Sequence, residues 1–215
     1  MTLCDIGNST FHFKQGKKDF KISVDKNIKH LPTIKGKIYY TSVNNKGTKK
    51  LLKKYPDALN IETIVKFKTK YQGMGIDRKI VCSYIQNGII IDVGSAITVD
   101  IMDNGKHKGG IIIPGFNAYK KIYPQISKKL SFIFKNDINL DKIPLNTQDA
   151  INYPIIGSIV SQIKSIHEKY EKTIYFTGED SKVLLKYFKN IDIKYKKNLI
   201  FNSMKSIIKQ KENRC

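Results

Sequence analysis

Two short stretches of the sequence, Leu3-Cys-Asp-Ile-Gly-Asn-Ser-Thr10 and Ile91-Asp-Val-Gly-Ser-Ala-Ile-Thr98, share one pattern. Each begins with apolar residues, continues with Asp-x-Gly and then adds residues with hydroxyl or amide side chains. After each motif, in 10–14 and again in 96–102, apolar and polar residues alternate with the period of a half-buried strand. We therefore predict that both motifs lie in strand-turn-strand hairpins.

The segments around the two motifs carry further strand and helix patterns. Strands are predicted at 19–24, 37–43, 61–67, 109–113 and 173–177. Helices are predicted at 46–55, 76–86, 147–170, 181–188 and 202–211, with another one after Pro114-Gly115. The Asp103-Asn-Gly105 sequence is typical of a hairpin turn between two strands.

The repetition predicts an α/β protein of two similar units that arose by duplication, with a cleft between the halves. Asn87-Gly88 interrupts the pattern between the two copies. We therefore predict an N-terminal domain at 1–87 and a C-terminal domain at 88–215.

Cysteine usage and hydropathy favour a cytoplasmic protein. The cysteines, Cys4, Cys82 and Cys215, lie far apart without any C-x-x-C pair, so neither a disulfide framework nor a zinc site is expected. The N-terminus has no basic region followed by an apolar run, and no segment is apolar enough to cross a membrane.

The formal net charge of +21 raises the question of a nucleic-acid partner. Only Arg78 and Arg214 among the 39 basic residues are arginine, and the lysines are scattered through every segment. A lysine-rich solvated surface explains this distribution better than a polyanion-binding patch, so nucleic acid is disfavoured as a partner.

A tight turn rich in Gly, Asn and Ser presents consecutive backbone amides, which together form a nest for phosphate oxygens. The Asp of each turn can hold a hard cation such as Mg²⁺ beside a bound triphosphate. One Asp-x-Gly-Asn turn alone is more often an ordinary hairpin, but two matched copies favour phosphate binding. The sequence contains no G-x-x-x-x-G-K-[ST] motif, which excludes a P-loop.

Two further motifs are candidates for chemistry. Met74-Gly-Ile-Asp-Arg78 places a carboxylate and an arginine at the start of a helix, where the carboxylate could orient a hydroxyl and the arginine could pair with a substrate carboxylate. A capping Asp beside a surface Arg is the alternative. Phe176-Thr-Gly-Glu-Asp180 has a layout suited to a nucleoside at a helix N-terminus.

Taken together, Asp5-Ile-Gly-Asn-Ser9, Gly75-Ile-Asp-Arg78, Asp92-Val-Gly-Ser-Ala96 and Gly109-Gly-Ile-Ile-Ile-Pro-Gly115 resemble the motif series of type III pantothenate kinases. The resemblance covers nearly the whole chain, and its specific part is the Gly-x-Asp-Arg element between the two hairpins. It implies two actin-like (ribonuclease H-like) domains and phosphorylation of pantothenate by ATP, the first step of coenzyme A biosynthesis. It also implies a homodimer, Mg²⁺ and a monovalent cation, K⁺ or NH₄⁺.

The resemblance also implies roles for individual residues. Asp77 becomes the proton acceptor, Asp92 a ligand of the monovalent cation, and Asp5 a partner of ATP-bound Mg²⁺. The expected ATP-binding residues are Asp5, Ile6, Gly7, Asn8, Ser9, Thr10, Phe11, His12 and Ser95. The expected pantothenate-binding residues are Tyr71, Gly75, Ile76, Asp77, Arg78 and Thr147. The chain departs from the family pattern at Glu179, where a second glycine is usual.

Two other functions remain open at this point. The same hairpins occur in actin-like kinases that act on other small hydroxy or carboxylate substrates. A non-catalytic relative could instead use the positive charge for regulation or for nucleic-acid binding.

Overall fold

The computed structural model describes residues 1–213, so Arg214 and Cys215 lie outside the described residues. The chain contains ten strands and six α-helices in this range, together with three single turns of 3-10 helix. The strands are β1 (Thr2–Ile6), β2 (Thr10–Gln15), β3 (Lys18–Ser23), β4 (Ile38–Ser42), β5 (Leu59–Asn60), β6 (Gly88–Val93), β7 (Ala96–Asp103), β8 (Lys106–Pro114), β9 (Ile174–Thr177) and β10 (Ile193–Tyr195). The helices are α1 (Asn45–Lys54), α2 (Ile76–Tyr84), α3 (Phe116–Ile126), α4 (Thr147–Tyr170), α5 (Ser181–Leu185) and α6 (Leu199–Glu212).

Each half of the chain contributes one five-stranded sheet, and the two sheets have the same topology. The first has the order β3-β2-β1-β4-β5, and the second has the equivalent order β8-β7-β6-β9-β10. In both sheets the central strand pairs antiparallel with the strand that follows it and parallel with a strand from later in the chain. The predicted α/β class with two similar units is therefore confirmed.

Both predicted hairpins are present. Strands β1 and β2 pair with Asp5 opposite His12, and β6 and β7 pair with Asp92 opposite Thr98. The turn between β7 and β8 is also as predicted, because Asn104 and Gly105 adopt φ values of 47° and 77°. Positive φ at two consecutive residues is the geometry of a two-residue type I′ hairpin turn.

The first sheet is covered by helices on both faces. On one face, Leu51 of α1 packs with Cys4, Ile6 and Phe11. Alternation along β1 turns Leu3 to the other face. There a second cluster is formed by side chains from β1, β4, the 3-10 turn Ile61–Thr63, α2 and α6, namely Leu3, Tyr39, Ile61, Ile76, Ile80, Phe201, Met204, Ile207 and Ile208.

The second sheet packs mainly against the long helix α4. Its apolar residues Ile155, Ile159 and Ile163 are buried against inward-facing residues of β6, β7 and β9. The two short helices α3 and α5 contribute Phe116 and Leu184 to the same cluster. The predicted helix at 147–170 therefore has the observed bounds and supplies the main core of this unit.

The division into units differs from the sequence-based one. Contacts divide the chain into one unit of residues 1–85 plus 198 onward and a second unit of residues 86–197. The first boundary lies two residues before the predicted one, and α6 belongs to the first unit, whereas the sequence placed it in the C-terminal domain. The reason is that α2 has only nine residues, so α6 is needed to cover the rest of that face of the first sheet.

Two further details differ from the sequence analysis. The predicted strand at 61–67 is a 3-10 turn, Ile61–Thr63, because the side chain of Asn60 accepts a hydrogen bond from the N–H of Glu62 and so starts a helical turn. The short edge strand β10 was not predicted, since its three residues carry no clear alternation. Across residues 1–213 we find no helix that is both long and apolar enough to span a bilayer.

Phe201 provides a test of the contribution of α6 to the first unit. Its side chain is fully buried against β1 and α2. Phe201→Ala should lower the free energy of unfolding by about 3–5 kcal/mol, the usual cost of removing a buried aromatic ring. Lys205→Ala, at an exposed position on the same helix, should change it by less than about 0.5 kcal/mol. Urea unfolding of both variants makes the comparison, and equal effects would contradict the packing of α6 described above.

Candidate active site

The turn between β1 and β2 contains the first predicted phosphate-binding residues. The N–H of Gly7 donates to the carbonyl of Thr10 at 2.9 Å, which closes the turn, and Asn8 and Ser9 at its tip are exposed. A bound anion could therefore approach the tip directly.

Two residues of this turn can contribute only backbone groups. The side chains of Ile6 and Phe11 are buried in the core against α1, so they point away from any ligand in solvent. Their predicted role in ATP binding is therefore limited to the main chain. The same alternation leaves the polar side chains of Asp5 and Thr10 partly exposed.

His12 makes contacts within the first unit that the sequence did not indicate. Its Nε2 lies 2.6 Å from Oδ1 of Asp19 on the neighbouring strand, and its ring meets the edge of Phe201 at a centroid distance of 4.6 Å. Partial burial raises the pKa of Asp19, but the hydrogen bonds from His12 and Lys14 outweigh this effect and hold the pKa below its ordinary value. The imidazole is thus held beside a carboxylate that is ionised at neutral pH.

The second turn, between β6 and β7, is one residue shorter than the first. The N–H of Gly94 donates to the carbonyl of Ala96 at 3.1 Å, and Ser95 is exposed at the tip. The carbonyls on either side of this turn accept backbone hydrogen bonds, Val93 from Asp180 and Ser95 from Gly115, each at 3.2 Å.

Two glycines allow other segments to approach this second turn closely. A Cβ atom on Gly115 would lie 2.2 Å from the carbonyl oxygen of Gly94, and one on Gly178 would lie 2.3 Å from that of Val93. Gly178 also has a φ of 93°, a conformation that residues with a side chain rarely adopt. The sequence analysis missed both roles, because the close approach involves segments distant along the chain.

The aspartates of the two turns occupy equivalent positions. Asp5 lies next to the last residue of β1, beside Thr41 of the parallel strand β4. Asp92 lies next to the last residue of β6, beside Thr177 of the parallel strand β9. Both aspartates are partly buried, and both threonines are buried. Each turn is therefore preceded by a carboxylate held in a regular sheet.

The predicted catalytic residue Asp77 lies in the first turn of α2. Its Oδ1 accepts a hydrogen bond from the backbone N–H of Arg78 at 2.8 Å. The N-terminal amides of a helix have no partner within the helix and favour negative charge. Gly75, at the N-cap, gives the carboxylate room, because a Cβ atom there would lie 2.6 Å from Oδ1.

Arg78 and Tyr71 are brought together although seven positions separate them in the chain. The guanidinium carbon lies 4.7 Å from the centroid of the tyrosine ring, in a cation–π contact. Arg78 is only 7% exposed, so the alternative of a surface arginine is wrong. The intervening Ile76 is buried in the core, and only its backbone can reach a ligand.

Thr147 is the first residue of α4, in the second unit, and it is exposed. The preceding Asn146 caps the helix by accepting a hydrogen bond from the N–H of Asp149 at 2.9 Å. A hydrogen bond from Lys135, with a second one from Asn146, lowers the pKa of the Asp149 carboxyl below its ordinary value.

The segment after β9 combines close packing with two acidic residues. Glu179, which stands where the resemblance implies a glycine, is exposed. Burial, followed by the charge of Glu179, raises the pKa of Asp180 above its ordinary value, and Lys120 opposes this shift. The segment therefore presents one exposed carboxylate at the end of the strand next to Asp92.

A family model and curated relatives point to the same family. A family model described as type III pantothenate kinase matches residues 47–169. The chain is similar to a protein named type III pantothenate kinase from Campylobacter jejuni strain RM1221, with 42% identity over 99% of both chains. It is also similar to one of the same name from Helicobacter hepaticus, with 38% identity over 98% of this chain and 99% of that protein.

One solved structure is similar over the whole chain. It comes from Campylobacter jejuni and carries the name Baf family transcriptional activator. The TM-score is 0.85 at 40% identity, and the match covers 99% of this chain and 100% of the other.

Gly115→Ala tests whether the close approach at the second turn matters for ligand binding. Because the new Cβ would collide with backbone atoms of Gly94 and Ser95, the turn must shift, and we expect ATP affinity to fall about tenfold. Gly157→Ala is the matched control, because its Cβ would meet only Leu140 at 3.5 Å inside a helix that favours alanine. Titration calorimetry with ATP measures both, and unchanged affinity in Gly115→Ala would contradict this role.

Proposed function

The chain belongs to the type III pantothenate kinase family, and we propose that it transfers the γ-phosphoryl group of ATP to the primary hydroxyl of pantothenate, the first step of coenzyme A biosynthesis. The observation that carries the proposal in this chain is the N-terminus of α2, where the Asp77 carboxylate, the Arg78 guanidinium and the Tyr71 ring lie within one short segment. Phosphoryl transfer of this kind depends on positioning and on charge stabilisation.

ATP is proposed to bind through its phosphates at both turns. The first turn, residues 5–12, offers backbone amides and the hydroxyl groups of Ser9 and Thr10, and the second offers the exposed hydroxyl of Ser95. Ile6 and Phe11 contribute only their backbone, since their side chains belong to the core. His12 lies on β2 directly opposite Asp5 of β1, and it is proposed to contribute to ATP binding from that position.

Asp77 is proposed to accept the proton of the pantothenate hydroxyl. The helix N-terminus favours its ionised form, and an ionised carboxylate can accept a hydrogen bond from that hydroxyl and take up its proton late in phosphoryl transfer. The hydrogen bond from the backbone of Arg78 orients the carboxylate before substrate arrives.

The carboxylate of pantothenate is proposed to pair with the Arg78 guanidinium. The tyrosine ring of Tyr71 lies against this cation and holds it in place. The backbone of Gly75 and Ile76 at the start of α2 and the exposed hydroxyl of Thr147 are the other proposed contacts of pantothenate.

The two turn aspartates have the chemistry expected of cation ligands. Carboxylate oxygens suit hard cations such as Mg²⁺ and K⁺, and the partly buried positions of Asp5 and Asp92 beside phosphate-binding turns fit such ions. We propose Asp92 as a ligand of the monovalent cation, K⁺ or NH₄⁺, and Asp5 as a partner of ATP-bound Mg²⁺. Bound cations at these positions would supply positive charge that offsets the charge of the triphosphate.

A homodimer and a cytoplasmic location complete the proposal. Strand β8 is an edge strand of the second sheet and carries the exposed apolar side chain Ile112, so a second copy of the chain could pair with this edge. The burial of Cys4, which raises the pKa of its thiol, and of Cys82 suits a reducing compartment.

A regulatory function is the second candidate, because the structurally similar Campylobacter protein carries the name of a transcriptional activator and the present chain has a net charge of +21. Binding of this kind would depend steeply on salt, since it would release counterions from nucleic acid. DNA and RNA binding measured across a salt series separates it from the kinase.

The activity is tested by ADP release from purified protein with ATP, Mg²⁺ and pantothenate, run in parallel with K⁺ and with Na⁺ as the only monovalent cation. We expect turnover that requires pantothenate and is faster with K⁺. Asp92→Asn should remove most of the difference between the two cations, because a neutral amide binds a cation less strongly than a carboxylate. Turnover only with another small hydroxy or carboxylate substrate would overturn the substrate assignment, and equal rates in K⁺ and Na⁺ would overturn the cation site.

Asp77→Asn tests the proton acceptor. The amide retains the shape of the side chain but cannot accept a proton, so kcat should fall about 10²- to 10⁴-fold while ATP affinity stays nearly unchanged. Asp57→Asn, an exposed aspartate of the same unit, should leave kcat at the wild-type value. A kcat for Asp77→Asn within a factor of two or three of wild type would refute the assignment.

A further inference from the structure

Asn44, at the end of the loop between β4 and α1, connects the first helix to the first phosphate turn. Its side-chain oxygen accepts a hydrogen bond from the backbone N–H of Gly47 at 2.9 Å, which caps α1. Its side-chain nitrogen donates to the backbone carbonyl of Asn8 at 2.7 Å. A carboxamide both accepts and donates, so this single side chain satisfies two backbone groups from distant segments.

The bond to Asn8 controls the direction of an amide in the turn. A trans peptide group is planar, and its C=O and N–H point in opposite directions. When the carbonyl of Asn8 is held on the Asn44 side, the N–H of Ser9, which belongs to the same peptide group, must face the other side.

A second peptide of the turn is fixed in the same way. The carbonyl of Ser9 accepts a hydrogen bond from the N–H of Val24 at 2.8 Å, so the N–H of Thr10 is directed away from Val24. Consecutive backbone N–H groups fixed in this way are the donors that form a phosphate-binding nest. The orientation of this nest therefore depends on one backbone anchor and one side-chain anchor.

Asn44 is itself held firmly by its neighbours. Its backbone N–H donates to Oγ of Ser42 at 3.0 Å, and the hydroxyl of Thr48 donates to the same oxygen at 2.8 Å. The helix N-terminus lies so close to β1 that a Cβ atom on Gly47 would be 2.5 Å from the side chain of Ile6. The side-chain donor is thus presented to the turn from a tightly packed position.

At the second turn, the backbone amides of Gly115 and Asp180 hold the carbonyls of Ser95 and Val93. We propose that Asn44 is a positioning residue for ATP, which acts by orienting the Ser9 and Thr10 amides of the first phosphate turn. The inference rests on the proposed role of that turn in ATP binding.

Asn44→Asp separates the two functions of this side chain. A carboxylate is as good an N-cap as an amide and is favoured at a helix N-terminus, so α1 and the melting temperature should be retained. The carboxylate cannot donate to the Asn8 carbonyl and repels its oxygen, so the turn should lose its anchor. We expect Kd and KM for ATP to rise about tenfold, with KM for pantothenate unchanged.

Asn60→Asp is the matched control, because Asn60 caps the 3-10 turn Ile61–Thr63 in the same unit through its side-chain oxygen. It should leave both KM values and the melting temperature at their wild-type levels. Calorimetric titration with ATP and Mg²⁺, steady-state kinetics and thermal melting are measured for wild type and both variants.

An unchanged Kd for ATP in Asn44→Asp would overturn the inference. A lower melting temperature with equal losses of affinity for ATP and pantothenate would also overturn it, because that result describes a structural residue only. If wild type binds ATP but does not phosphorylate pantothenate, the proposed function fails, whereas a weaker ATP affinity in Asn44→Asp would still support the positioning role.

Discussion

The rest of the structure depends on how the central strand of each sheet is paired. Strands β1 and β6 each have an antiparallel neighbour on one side and a parallel neighbour on the other. This arrangement brings the carboxyl ends of two parallel strands and the turn of a hairpin to one edge of the sheet. Helix α1 and helix α5 begin just beyond the parallel strands. Ligands of open α/β sheets bind at such edges, and each hairpin turn lies at this edge of its own sheet.

The local parts of this arrangement could be predicted from the sequence, and the nonlocal parts could not. The two Asp-x-Gly hairpins and the bounds of α4 follow from alternation, turn chemistry and helical periodicity, which involve only near neighbours in the chain. The close approach at Gly115 and Gly178 depends on segments distant in sequence, so neither glycine could be assigned a role. The contact between Tyr71 and Arg78 likewise requires the fold of the loop between them. The prediction of a strand at 61–67 was wrong, because the capping hydrogen bond of Asn60 favours a 3-10 turn over the extended conformation that the apolar residues indicated.

The two hairpin turns are held by different kinds of contact. The second accepts hydrogen bonds from backbone amides, and glycines permit the close contact. The first relies on Asn44, a residue outside the motif that defines the turn. Both turns are therefore held partly by residues outside their motifs, and Asn44 lies 36 residues from Asn8 in the chain.

The packing of α6 against β1 and α2 has a consequence for the order of events during synthesis. The first unit is discontinuous, and its last helix follows residues 86–197 of the second unit in the chain. Because the ribosome releases residues in order, the face of the first sheet that carries Leu3 is covered only by α2 until α6 emerges. All residues of the second unit, 86–197, are synthesised before α6, so this unit can fold before the first unit is complete. Synthesis of the first unit therefore begins before that of the second unit but is completed after it.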